Sequence, residues 1–314
     1  MPRISVIINC LNGERYLREA MDSVFAQTCQ DWEIIFWDNA STDRSGDIAR
    51  SYGERVRYFR SETTTSLGRA RNLAISHAKG DYVALLDCDD IWLPQKLGRQ
   101  LEVLEDNRKA ALCFSNSMFF NSEGDVYDHF SQARPARGDK VFDRLLESNF
   151  IGSETMFFRR TALETLDYVF DEDFTMVMDY DLTLRLAYKY PIDYVEDILS
   201  KWRMHEGSES NKKRFLIPRE NMAVLERLIL RHPELPEKHQ YAISRFRHNV
   251  NYQLAMEKWD RGMVKESRNM LRQCKLIPKA PVAYAATFLL PFSRFDRIKE
   301  NLKTKILGGR LWKL

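Results

Sequence analysis

The 314-residue sequence lacks the features that most quickly assign a chain to a class. Its five cysteines, Cys10, Cys29, Cys88, Cys113 and Cys274, are odd in number and include no pair at CxxC spacing. That pattern argues against a disulfide framework and against a zinc site. There is no Walker P-loop, and no GxGxxG follows the first strand pattern, so neither kind of helix-dipole phosphate cradle is expected. Long apolar runs are missing too. The longest, residues 282–292 (VAYAATFLLPF), has eleven residues. As a helix it spans roughly 16 Å, about half the hydrocarbon core. It is too short to cross a bilayer alone and long enough to lie in one leaflet. The opening MPRISVIIN enters a strand pattern without a charged-then-apolar leader, so no signal peptide is expected. With the cysteine usage, this points to a reducing cytoplasm.

Charge of one sign is also scarce. The net charge of +3 is too small to indicate nucleic acid. It is unevenly spread, however: from Ala280 onward there are seven Lys/Arg against two acids. Phe288, Leu289, Phe292, Phe295, Ile298 and Leu302 interleave there with Arg294, Arg297, Lys299, Lys303 and Lys305. Aromatic and cationic helices of this kind suit an anionic membrane surface. The plainer expectation is a helix packed on the protein's own core with its cations wet, because Pro291 interrupts the pattern. A composition of 44% hydrophobic and 30% charged residues is that of a globular chain with one large or two modest domains.

What is present is alternation. Ile4–Ile8, Trp32–Trp37, Val56–Phe59 and Tyr82–Leu86 read as buried strands. Helical patterns run between them over residues 14–28, 43–52 and 66–78. Strand and helix in turn predict an α/β fold with a doubly wound sheet, whose ligands sit at the carboxyl ends of the strands. Asn9, Asp38 and Asp87 all fall at such ends. A helix is expected from Pro94 to about Asn107, a strand over 111–120, a polar irregular loop over 121–140, a strand at 155–158 and a helix over 180–190. Only a short extended piece is expected at Tyr194–Val195. Helices dominate after Pro218, and a boundary is placed near residue 215.

The stretch LLDCDD at 85–90 ends a buried strand in three carboxylates. In an extended chain Asp87 and Asp89 point the same way. Such a pair suits a hard divalent cation, Mg²⁺ or Mn²⁺, with coordination positions left for substrate phosphates. The plainer alternative is that these acids, Asp90 above all, cap the helix near Pro94. Asp38, in WDNASTD, suits a nucleobase imide or a ribose hydroxyl; an Asx turn or a cap for the next helix is the competing use.

Taken in order, SVIINCLNGERYLREAMDSVFAQT, WEIIFWDNASTD, SLGRARNLAISHAKGDYVALLDCDD and IWLPQKL resemble successive blocks of the family-2 glycosyltransferases. The resemblance resumes in GSETMFFRR, MDYDLTLRLA and WRMHEGSES and covers roughly residues 4–210. It implies the GT-A fold: a mixed, Rossmann-like sheet flanked by helices, here with a helical C-terminal extension. The implied catalytic domain is 1–214, divided into a nucleotide-sugar-binding half (1–110) and an acceptor and catalytic-base half (111–214). The helical region of 215–314 is then a candidate for membrane or partner association.

The resemblance also implies roles. Asn9, Asp38, Arg71 and Asp87 contact the nucleotide sugar, and a helix-surface cation is the plainer use of Arg71. Asp87 and Asp89 match the DxD pair that holds Mn²⁺ or Mg²⁺, with His205 as a further metal ligand or diphosphate contact. Asp179 falls on the catalytic base, where an N-cap is the competing role, and Asp181 is expected to be structural, bonded to Arg185 or to loop backbone. Glu154 and Arg203 are candidates for acceptor or diphosphate contacts, with Lys212 as a further nearby cation. Asn39 and Ala40 depart from the Asp and Gly of many members.

The expected activity is inverting, single-displacement, metal-dependent hexosyl transfer from a nucleotide-diphospho-sugar, a UDP-sugar foremost, to a hydroxyl of a glycan or lipid-linked glycan. The alternatives are a polyprenyl-phosphate acceptor, a sugar nucleotidyltransferase, or a non-catalytic sugar-nucleotide-binding protein. No nucleic-acid partner is expected. The expected place is the cytoplasm, peripheral to the inner face of the membrane.

Overall fold

The computed structural model describes residues 2–133 and 135–306; the cationic residues expected beyond 306 lie outside the described residues, as do the side chains of Leu302, Lys303 and Lys305. The first four expected strands form: β1 (Ile4–Cys10), β2 (Trp32–Asp38), β3 (Val56–Arg60) and β4 (Tyr82–Asp87). They are parallel and ordered β3-β2-β1-β4. Every residue of β1 and β2 is buried, as expected of strands covered on both faces. The helix Leu17–Phe25 turns Leu17, Ala20, Met21 and Val24 inward at helical spacing. Ser66 caps the helix Leu67–Ser76 by accepting the Arg69 N–H.

Five more strands extend this sheet: β5 (Ile91–Trp92), β6 (Leu112–Asn121), β7 (Gly124–Asp128), β8 (Phe157–Arg159) and β9 (Ile192–Arg203). The order is β3-β2-β1-β4-β8-β6-β9-β5, with β7 paired to β6. Because β8 is antiparallel to β4 and to β6, the sheet is mixed rather than wholly parallel.

Two segments differ from the sequence reading. The first part of the polar segment 121–140 is a hairpin rather than an irregular loop. Gly124, at φ +128°, closes a hairpin, and the Phe119 and Tyr127 rings stack 4.6 Å apart across it. The short piece expected at Tyr194–Val195 lies near the start of a twelve-residue strand whose charged residues masked its length. That strand carries Arg203 to the sheet's functional edge.

The chain divides into two compact units, residues 1–142 with 150–208, and residues 143–149 with 209–314. The second is helical and includes Ile217–Arg231, Gln240–Asp260, Val264–Gln273, Ala280–Leu289 and Phe292–Ile306. Its core gathers Tyr252, Ala255, Leu271, Cys274, Ile277, Ala280 and Ala283. No described helix is long and apolar enough to cross a membrane.

Candidate active site

The parallel register places Asn9 beside Asp87 on one side and Trp37 on the other, with Asp38 beside Cys10. The carboxyl ends of β1, β2 and β4 thereby collect the polar residues singled out in the sequence. The amide nitrogen of Asn9 is buried without a hydrogen-bond partner among the described residues.

The LLDCDD stretch behaves differently from an extended chain. β4 ends at Asp87, and the Asp90 N–H donates to the Asp87 carbonyl at 3.1 Å, closing a turn. Asp87 and Asp89 are therefore held by different partners. Arg71 Nη2 donates to Asp87 Oδ1 at 2.6 Å, and Ser153 Oγ donates to Asp87 Oδ2 at 2.9 Å. Asp89 Oδ2 lies 2.9 Å from His205 Nε2. Asp90 is buried and accepts the Arg203 N–H at 2.8 Å. None of the three acids caps the following helix, whose first cap residue is Gln95.

The positive charge among these acids comes first from the protein. Arg71 is buried, not a surface cation. Burial alone would lower its pKa, but Asp87 and Asp179 together hold its proton more firmly than usual. Compensation is incomplete at Asp89, whose pKa is raised by burial and by Asp87 against the opposing pull of His205. Asp90 is pushed further up by burial, Asp89 and Glu154.

Among the described residues no three ligand-type side chains converge as a ready-made metal cage. Asp89 and His205 are the pair that meets. One carboxylate and one imidazole, with further positions open, fit Mn²⁺ or Mg²⁺ shared with substrate phosphates. The crowded, under-compensated carboxylates around them are the environment such an ion would relieve.

Asp179 lies in the first turn of the helix Met178–Lys189. The cap position is Val177, so Asp179 is not the N-cap; its Oδ1 accepts the adjacent Tyr180 N–H at 2.8 Å. Burial raises its pKa above the ordinary carboxylate value, Arg71 opposes the rise, and Asp87 adds to it. Arg71 thus links Asp87 on β4 with Asp179 electrostatically. Asp181 is structural as expected, bonded to Arg185 Nε at 2.8 Å.

Asp38 is fully buried, and both its oxygens are engaged. Oδ1 accepts the Ser41 N–H at 2.7 Å; Oδ2 accepts Tyr58 Oη at 2.6 Å and Arg60 Nη1 at 2.5 Å. Burial would raise its pKa, but these donors hold it below the ordinary value. It closes the turn that the plainer reading anticipated, and a nucleotide meets it only by taking the place of one of these donors. Ala40, in that turn, stands at φ +66°, where a glycine would be unstrained.

Glu154 and Arg203, the candidates for acceptor or diphosphate contacts, lie in and under the acidic turn. Glu154 is 2% exposed, beneath the site near Ser117 and Lys96, and burial pushes its pKa up to about 7. Arg203 Nε donates to the Asp89 carbonyl at 2.8 Å and Nη2 to Glu19 Oε2 at 2.9 Å, so its guanidinium braces the acidic turn. Lys212 belongs to the second unit, where it pairs with Glu209. Sequence reasoning missed Ser153, Tyr58 and Arg60; Ser153 sits within the quoted block GSETMFFRR, Tyr58 within the third strand and Arg60 at its end, with nothing to single them out.

The raised Glu154 pKa has a signed consequence. The folded state holds a proton that the unfolded chain releases, so stability falls as pH rises from the ordinary value of 4.5 to about 7. Glu154→Gln is expected to flatten that slope in urea titrations and to add roughly 2–3 kcal/mol at pH 8. A pH-independent loss of stability in the variant would refute the assignment.

Residues 5–167 match the family model described as Glycosyl transferase family 2. An uncharacterized glycosyltransferase of Methanocaldococcus jannaschii is 30% identical over 209 residues, 65% of this chain and 71% of that one. A putative teichuronic acid biosynthesis glycosyltransferase of Bacillus subtilis is 33% identical over 162 residues, 51% of this chain and 63% of that one. Across four of the curated relatives, the chain spans from 71% down to 31% of their length. Among solved structures, S. aureus TarS 1–349 superposes with a TM-score of 0.65 at 18% identity, covering 95% of this chain and 92% of that one. The mannosyltransferase PcManGT of Pyrobaculum calidifontis, in complex with GDP-Man and Mn²⁺, gives 0.62 at 17%, covering 98% and 87%. These two likenesses bear on the fold, which is the GT-A arrangement with a helical C-terminal region.

Proposed function

This chain belongs to glycosyl transferase family 2, and from that premise we propose that it transfers a hexosyl group from a nucleotide-diphospho-sugar, a UDP-sugar foremost, to a hydroxyl of a glycan or lipid-linked glycan. The observation that carries the reading is the buried Arg71, whose charge serves both Asp87 at the end of β4 and Asp179 in the facing helix. That arrangement sets a donor-side acid and an acceptor-side base around one cation.

The transfer is a single displacement with inversion. Asp179 accepts the proton of the attacking hydroxyl. Arg71 and Ser153 fix Asp87 beside Asn9, where the nucleotide and its ribose are held. Asp38, Tyr58 and Arg60 shape the nucleobase end. Asp89 and His205 are the residues that would hold Mn²⁺ or Mg²⁺, while Arg203 braces the turn that carries Asp89. When bound there, the ion supplies Lewis-acid neutralisation of the leaving nucleoside diphosphate. Orientation of donor and acceptor for in-line attack supplies much of the remaining acceleration. An acceptor carried on a lipid sets the work at the cytoplasmic face of a membrane.

The test is a thermal-shift panel of UDP-, GDP-, dTDP- and CMP-sugars, each with and without Mn²⁺. One nucleotide is expected to stabilise the chain only with metal, by about 2.7 kcal/mol at a hundredfold excess over its Kd. Equal responses to all four, or none to any, would remove the donor assignment.

A further inference from the structure

The helix Ala280–Leu289 is inverted relative to an ordinary surface helix. It buries Ala280, Ala283 and Thr287 against the second unit's core, and it exposes its large apolar residues. Val282 is 64% exposed, Phe288 57% and Leu289 80%. With Pro281 and Ala285, also exposed, they occupy an arc of about 120° on one side of the helix. A helix with nothing to cover gains by turning such residues inward, because each large apolar side chain left in water forfeits the stabilisation of burial. A contiguous exposed stripe of this kind marks a surface that something else covers.

The surrounding charge says what the covering partner is. Between Ser267 and Phe295 the sequence carries Arg268, Arg272, Lys275, Lys279 and Arg294, and no acid. Lys275, Lys279 and Arg294 are exposed on either side of the helix in sequence, followed by exposed Arg297. Arg268 donates to Thr287 Oγ1 and its backbone carbonyl, which places its guanidinium 3.6 Å from the centre of the Phe288 ring. The helix ends at Leu289, and extended Leu290 and Pro291 separate it from the next one, which starts at Phe292. The apolar segment is thus one short helix, about 15 Å long, that can lie along an interface but not cross it.

We propose that the Val282–Phe288–Leu289 face of this helix is a docking surface for an anionic lipid bilayer, with its apolar residues inserted at the headgroup boundary and Lys275, Lys279, Arg294 and Arg297 against the lipid phosphates. A second protein copy fits the same stripe less well, because dimerising through it brings two acid-free cationic segments together. The surface belongs to the helical unit and does not depend on the catalytic reading. A lipid-linked acceptor would simply be met where the enzyme already sits.

The test is flotation of the full chain with vesicles of phosphatidylcholine alone or with about 30% phosphatidylglycerol. The chain is expected to float with the anionic vesicles only, and less as salt rises through the range that screens surface charge. The double variant Val282→Ser/Leu289→Ser, at the two most exposed positions, is expected to bind at least about tenfold more weakly. Lys275→Glu/Arg294→Glu, which leaves the apolar face intact, is expected to lose binding by a similar factor. Melting temperatures of the variants check that they remain folded. Flotation equal on neutral vesicles, no flotation at all, or binding unchanged in both variants would overturn the proposal. So would a chain that sediments as a dimer which Val282→Ser/Leu289→Ser dissociates, since that would assign the stripe to a second copy.

Discussion

Asp179→Asn is expected to leave a folded protein that binds its donor and does not turn it over. The amide keeps an oxygen for the Tyr180 N–H, so the helix start is preserved. Arg71 retains its direct bond to Asp87, so the donor side keeps its geometry. What disappears is a carboxylate in the first turn of that helix whose pKa is raised and whose charge interacts with Asp87 and Arg71. Removing a positioned general base costs on the order of 10²–10⁴ in rate; toward the upper end, kcat falls by about 10³ or more, or about 4 kcal/mol of transition-state stabilisation. The measurement is release of nucleoside diphosphate alongside the donor's thermal shift. Loss of both together would mean Asp179 holds the donor rather than the proton, and near-normal turnover would end its role as base.

The pH profile gives an independent reading of the same residue. A base works when deprotonated, so the wild-type rate should rise with pH through a value above the ordinary carboxylate range, because burial and Asp87 outweigh the pull of Arg71. Residual activity in Asp179→Asn should lose that acid-side limb. A limb that persists unchanged belongs to another group.

How much of this was legible in the sequence depended on whether the physics was local. The four parallel strands were, because runs such as Ile4–Ile8 are β-branched and apolar at all but Ser5 and end in polar residues. The acids of LLDCDD were visible as a cluster, but their geometry was not. Alternation holds only while the chain stays extended, and the Asp90–Asp87 turn separates the two carboxylates into different partnerships. Arg71 and Asp87 are sixteen residues apart, and Asp89 and His205 are 116 apart. Those pairings come from strand order, which no window of sequence displays. β9 escaped because a twelve-residue strand carrying Asp193, Glu196, Asp197, Lys201 and Arg203 has no clean period. The burial of Glu154 had no signal in the sequence, because a carboxyl held beside Lys96 depends on a packed interior, not on its neighbours in the chain.

Asp89→Ala should carry a comparable kinetic loss with the opposite signature in binding. Its carboxylate is held 2.9 Å from His205, and burial and Asp87 both make its charge unfavourable in the unliganded protein. Deleting it therefore should not weaken the fold, and the variant should melt at or slightly above the wild-type temperature when neither donor nor metal is present. The backbone carbonyl that Arg203 grips is retained, so the acidic turn keeps its brace. The donor's diphosphate, by contrast, is left facing Asp87 with only His205 where a carboxylate–imidazole pair had stood. The expected cost is about a thousandfold or more in kcat/KM. Together with it should go the Mn²⁺-dependent part of the donor's thermal shift, while any metal-independent part contributed by Asn9, Arg71 and the nucleobase end survives. This split separates Asp89 from Asp179, whose loss removes turnover and spares donor binding. If Asp89→Ala keeps the full metal-dependent shift, the ion is held elsewhere, and the Asp89–His205 contact is a structural ion pair that happens to lie at the strand end.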